Sequence, residues 1–196
     1  MDPHCGEGDI MPLQQEKEHY TYADFCTWDD DERWELIDGV PYAMAPPSRF
    51  HQSICINLCG QLWQFLKGKP CEVYSSPIGV RLNADSTDDT VLQPDIVVVC
   101  DHSKLDAAGI IGAPDMVVEI LSPSTARRDR LDKLLEYQKA GVREYWIVDP
   151  ETRTLSAHVL ENGKYTIFAY GDEGTAPVHV LEGCEIILTE IFEHVE

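Results

Sequence analysis

The chain is poor in positive charge: 15 Lys and Arg stand against 35 Asp and Glu, for a formal net charge of -20 in 196 residues. An acidic balance of that size excludes general adhesion to nucleic acid or anionic lipid, because like charges repel. No stretch approaches the ~20 consecutive apolar residues of a membrane span. There is no CxxC pair; the seven cysteines are odd in number and scattered at 5, 26, 55, 59, 71, 100 and 184, which argues against a disulfide framework and predicts a reduced, cytoplasmic protein. The amino terminus, MDPHCGEGDIMPLQQEKEH, is acidic and lacks an apolar core, so it reads neither as a signal nor as a transit peptide. Internal repeats are absent.

The charge that is present is unevenly placed. Residues 1–35 and residues 144–196 each hold eleven acids against two bases. Between them, Arg127, Arg128, Arg130, Lys133, Lys139 and Arg143 outnumber Asp129, Asp132 and Glu136, so one segment is locally basic. The length suits one domain, which buries on the order of 70% of its unfolded surface. Residues 1–19 are polar and unpatterned and are expected to be a mobile tail, with the folded domain at 20–196.

Local patterns predict the element order. Asp38-Gly39 suits the turn of a tight hairpin within TYADFCTWDDDERWELIDGVPYAM, which otherwise reads as a short helix and an acidic cluster. Ile54, Leu58, Leu62, Phe65 and Leu66 recur at helical spacing over 49–67, before Gly68 and Pro70. Three strands are predicted at 72–82, 92–100 and 115–121. A second helix at 126–140 stops at Gly141, REYWIVDP is a strand, and the rest is an antiparallel extension.

VVEILSPST, residues 117–125, poses the chemical question. Glu119 stands inside an apolar strand, where an isolated charge costs several kcal/mol or is driven to protonate. QPDIVVV places Asp95 at the mouth of another apolar strand. Two carboxylates converging from neighbouring strands form a socket for Mg2+ or Mn2+, which are held by one or two carboxylates together with water and phosphate oxygens. Asp115 is nearer in sequence, but four residues along one strand is roughly 13 Å, whereas a neighbouring strand lies ~4.8 Å away. Asp95 is therefore the better partner. The bland reading makes Asp95 a turn cap and Glu119 an arginine partner.

RWELIDG, RFHQSI, QPDIVVV, VVEILSPST and DKLLEYQKAGVREYWIVDP together resemble the PD-(D/E)XK nuclease superfamily, and within it the Uma-two family of restriction-endonuclease-like proteins, over roughly residues 20–190. The resemblance implies an α/β restriction-endonuclease-like core, a mixed central sheet flanked by helices, with the N-terminal hairpin and C-terminal extension added. It also implies divalent-metal-dependent hydrolysis of phosphodiester bonds, with DNA the expected substrate. The superfamily lysine two residues after the glutamate is replaced by Leu121. Lys133, on the following helix, is its substitute, orienting the attacking water; the alternative is a solvated lysine paired with Asp129.

Glu35 corresponds to an acid that the family carries ahead of the core, and either completes the site or is a surface group. His51 touches metal or phosphate, or is structural. His51, Cys55 and Cys59 share a helical face but span roughly 12 Å, too far for one zinc ion. Arg127, Arg128 and Arg130 are expected to meet a phosphate backbone, or form a solvated helix start. Cleaving both strands of a duplex asks for two active sites, hence a homodimer. The competing reading is a non-catalytic module whose acidic surface binds a basic protein.

Overall fold

The structure, a computed structural model, describes residues 18–28 and 32–193. The tail expected at residues 1–19 therefore falls almost wholly outside the described residues. Helix α1 (Tyr22–Phe25) is closed at its start by reciprocal contacts of Thr21 and Asp24. The hairpin of β1 (Trp34–Ile37) and β2 (Val40–Ala43) turns at Asp38 and Gly39, with φ of 46° and 75°, the left-handed pair that a two-residue hairpin turn requires. Helix α2 (Arg49–Leu66) starts at Ser48, whose side chain accepts from the His51 amide, and buries Ile54, Leu58, Leu62 and Leu66.

Two predicted strands divide. Residues 72–82 become β3 (Glu72–Ser75) and β4 (Gly79–Arg81), and residues 92–100 become β5 (Val91–Leu92) and β6 (Ile96–Val99). Pro77 and Pro94 stand in the two breaks, where a residue without an amide donor ends the ladder. At each break the chain changes sheet. β4 and β5 join the hairpin and β7 (Gly109–Ile111) in a five-stranded sheet, ordered β2-β1-β5-β4-β7.

The six-stranded sheet is ordered β11-β10-β9-β8-β6-β3. Its centre is β8 (Met116–Ile120), antiparallel to β6 and parallel to β9 (Glu144–Asp149). β10 (Thr154–Glu161) and β11 (Lys164–Tyr170) extend it as an antiparallel hairpin, while β12 (Thr175–Pro177), β13 (Glu185–Ile187) and α5 (Leu188–Ile191) cover one face. The fold is thus mixed α/β with mixed sheets flanked by helices.

Alternation along β8 divides the interior. Met116, Val118 and Ile120 face the core shared with α2 and the C-terminal segment. Val117 and Leu121 face a second core, with Tyr137, Val142 and Tyr145, and Glu119 has the same parity. The helix predicted over 126–140 is continuous but not uniform. It runs as α3 (Ala126–Arg128), a π-helical turn at Asp129–Lys133 and α4 (Leu134–Ala140), ending at Gly141 with φ of 90°. The wider turn carries Asp129 and Lys133, both buried.

The expectation of wholly reduced cysteines is corrected: Cys71 and Cys100, one step beyond the β3–β6 pairing, form a disulfide with Cα atoms 4.0 Å apart. Sequence spacing could not foresee it because the pairing is made by strand register. No helix among the described residues is long and apolar enough to cross a membrane.

The hairpin that carries Glu35 depends on Gly39, where an added Cβ would meet His19 Nδ1 at 2.2 Å. Gly39→Ala is expected to cost about 1–2 kcal/mol from the left-handed backbone alone. Thermal denaturation should register this as a fall of roughly 2–8 °C in Tm.

Candidate active site

The register of β6 on β8 pairs Ile96 with Val118, so Asp95 and Glu119 come next, on neighbouring strands. Asp95 Oδ2 accepts from the Ile120 amide at 2.7 Å and bonds His51 Nε2 at 3.0 Å. Glu119 Oε1 accepts from Lys133 Nζ and from the Tyr137 hydroxyl, each at 2.9 Å. Lys133 Nζ also lies 2.8 Å from Glu35 Oε1 and 3.4 Å from Asp129 Oδ1. Glu35 Oε1 in turn accepts from the Gln93 amide at 2.9 Å. Glu35, His51, Asp95, Glu119, Asp129 and Lys133 all line one cavity of about 170 Å3.

The helix that follows β8 supplies Lys133 from the face that also holds Leu121 in the second core. The Lys133 side chain is only 3% exposed; it points into the carboxylate cluster rather than to solvent. Asp115, the rejected alternative, sits at the other end of β8, where it accepts from the Cys100 amide and from Arg143.

The three predicted phosphate contacts separate. Arg127 is exposed. Arg128 lies 4.1 Å over the Tyr42 ring and lines the cavity. Arg130 pairs with Asp149 at 2.9 Å. Lys139 pairs with Glu136 and Asp38, and Arg143 with Asp115, so most of the local basic excess is answered by carboxylates that are distant in sequence.

Four contributors were not singled out from sequence: Asp129 as a buried member, Tyr137, Arg33 and Gln93. Asp129, Lys133 and Tyr137 recur every four residues, which places them on one helical face; that spacing was the available clue. Arg33 donates to Ser76 Oγ and Gln93 Oε1, contacts between segments 43 and 60 residues apart, and no local pattern announces them.

Burial pushes the Glu119 carboxyl well above the usual carboxylate range; Lys133 opposes the shift, and Asp129, Asp95 and Glu35 add to it. Burial would lower Lys133, but Glu119, Glu35 and Asp129 outweigh it and hold the ammonium well above its ordinary value. Asp129 is raised by burial, and Tyr137 by burial and then by Glu119. Glu119, Asp129, Lys133 and Tyr137 therefore bind protons more tightly than such groups do in water.

Carboxylates without enough cations suit a hard divalent ion. In both Asp95 and Glu119 the protein contacts fall on one oxygen, Oδ2 and Oε1, leaving the other for a further ligand. Asp129 Oδ1 is buried without a hydrogen-bond partner, being 3.4 Å from Lys133 Nζ, and so is His51 Nδ1. Among the described residues no three His, Cys, Asp or Glu side chains form a metal-holding group. The donor set fits an ion completed by water or substrate oxygens.

A raised carboxyl pKa stabilises the fold at low pH, and that contribution disappears as pH climbs through the raised value. The metal-free protein is expected to lose Tm as pH rises above the ordinary carboxylate range, and Glu119→Gln should flatten the loss. Melting curves in EDTA check this; an equal slope in the variant would assign the dependence to other acids.

Comparison with known proteins gives the family and the fold. The Uma2 family, described as "putative restriction endonuclease", matches over residues 21–189. An uncharacterized protein of Synechocystis sp. is 28% identical over 151 residues, 75% of this chain and 78% of its own length. The crystal structure of a protein from Anabaena variabilis, described as a putative nuclease of DUF820, superposes with a TM-score of 0.72 at 19% identity, over 90% of this chain and 99% of the other. That likeness establishes a shared fold. The match spans the hairpin, both sheets and the helix bearing Lys133, and the chain belongs to the Uma2 family of restriction-endonuclease-like proteins.

Proposed function

We propose that this protein is a divalent-metal-dependent endonuclease that hydrolyses phosphodiester bonds in DNA, with Asp95 and Glu119 holding Mg2+ or Mn2+. The observation that carries the reading is the meeting of these two carboxylates, from adjacent strands, with a buried lysine 2.9 Å from Glu119. Family membership supports nuclease chemistry. A bound ion would polarise the phosphate and acidify a water. His51 fixes Asp95 through Oδ2, and Tyr137 fixes Glu119 through Oε1. Glu35 and Asp129 hold the Lys133 ammonium in place and keep it protonated. Lys133 then acts as a fixed cation, orienting the attacking water and offsetting charge that builds on the phosphate. Arg127 and Arg128 offer cations for the nucleic-acid backbone. Arg130, spent on Asp149, contributes to position rather than contact.

A second reading, a non-catalytic module that binds a basic protein, draws on the charge of -20 and on the internal pairing of Arg130, Lys139 and Arg143. Plasmid nicking in Mn2+ separates the two. Asp95→Ala and Glu119→Ala should each abolish cleavage and weaken Mn2+ binding while preserving the circular dichroism spectrum. Full activity in either would overturn the assignment. A homodimer, the form suited to cutting both strands, is checked by sedimentation of the same sample.

Lys133→Met removes the charge and keeps the aliphatic length. It is expected to lower turnover by on the order of 100-fold or more, as for other preorganised electrostatic contacts. Because Leu121 packs in the core that the Lys133 helix covers, the Leu121→Lys, Lys133→Met double variant should recover part of the rate. Wild-type turnover in Lys133→Met would remove the lysine from the mechanism.

A further inference from the structure

We infer that Arg33 and Arg128 form a two-guanidinium clamp that holds the phosphate backbone of a polynucleotide at the mouth of the carboxylate cavity. The inference rests on the nuclease reading and adds to it a residue, Arg33, and a footprint.

Acids outnumber bases by more than two to one in this chain, and its arginines divide accordingly. Arg81, Arg130, Arg143 and Arg153 each have a carboxylate oxygen within 2.6–2.9 Å. Among the described residues Arg33, Arg49, Arg127 and Arg128 have none, and of these Arg33 and Arg128 line the cavity that contains Glu35, Asp95, Glu119 and Asp129. Those acids face Lys133 and His51 instead. Arg33 and Arg128 are both half-buried, where an unanswered charge is costly. A folded acidic chain has carboxylates to spare for them, so a cation at the cavity that meets no carboxylate among the described residues is available to an external anion.

Both groups are also fixed, by neutral partners. Arg33 Nη2 donates to Ser76 Oγ at 2.7 Å and to Gln93 Oε1 at 2.9 Å, and Nε donates to Gln93 Oε1 at 3.3 Å. Nη1 is left over. Ser76 lies between β3 and β4, and Gln93 between β5 and β6, so the guanidinium is held where both strands change sheet. The Gln93 amide reaches Glu35, which ties Arg33 to the lysine cluster. Arg128 rests its flat face on Tyr42, the cross-strand neighbour of Glu35, a contact that leaves the N–H edge uncommitted. One arginine is two residues before Glu35 and the other one residue before Asp129. Planar forks held this close to the reacting centre match phosphate oxygens in pairs.

The test is the salt dependence of binding by the full-length protein to a labelled 20-residue DNA, single-stranded and duplex, with Ca2+ in place of Mn2+. Arg33→Gln and Arg128→Gln should each weaken binding about tenfold or more. Each should also flatten the plot of log affinity against log salt by about 0.7 on single strands or 0.9 on duplex. The double variant should lose about twice that. Arg33→Lys should keep most of the slope, which a purely structural Arg33 would not require. Arg128→Gln touches only the Tyr42 ring and keeps the test decisive if Arg33→Gln fails to fold. Wild-type slopes in both Gln variants, with the wild type still nicking plasmid, overturn the clamp and leave the nuclease reading intact. Absence of DNA binding and nicking by the wild type overturns both.

Discussion

A single ammonium organises the centre of this molecule. Lys133 is buried among Glu35, Glu119 and Asp129, contributed by the hairpin, the central strand and its own helix. Unpaired, each of these carboxylates would carry a desolvation penalty of several kcal/mol. Grouped around one cation, they hold together three segments that are remote in sequence. The ammonium does not balance the group: three acids meet one base, with Asp95 beside them. That residual negative charge opposes stability, and it is what the proposed divalent ion would offset.

The sheets exist in their observed form because two strands break. Pro77 and Pro94 end the ladders of β3 and β5, and each chain segment then crosses to the other sheet. The crossing brings Gln93 within reach of Glu35 and Arg33, and leaves Asp95 at the opening of β6 rather than inside it. A carboxylate at that opening has one oxygen bonded to Ile120 and His51 and stands at the cavity. Had β5 and β6 run on as one strand, the segment 93–95 would have been committed to ladder hydrogen bonds.

The acidity of the chain acquires a different meaning once the pairs are seen. Arg81, Arg130, Arg143 and Arg153 are answered by carboxylates, which removes them from competition for external anions. The cations at the cavity without carboxylate partners among the described residues are then selective in position, and an acidic exterior would discourage the proposed nucleic acid from settling elsewhere. Strong overall repulsion and a small cationic mouth are compatible, because screening confines surface charge effects to about 8–10 Å.

Much of the architecture could be read directly from residues whose meaning is local. Asp38-Gly39 specified the hairpin, the Ile54-Leu58-Leu62 spacing specified α2, and Gly141 its neighbour's end, because turn conformation and side-chain periodicity depend on adjacent residues alone. Asp95 and Glu119 were legible too, since a charge within or at the mouth of an apolar strand is anomalous wherever the strand lies. Tertiary structure decided what depends on distance through space. It joined Cys71 to Cys100, withdrew Arg130 to Asp149, buried Asp129 on a π-helical turn and set Arg33 between Ser76 and Gln93. A side chain's partner across 15 to 60 residues is fixed by strand register and sheet crossing, and neither leaves a periodic mark in the sequence.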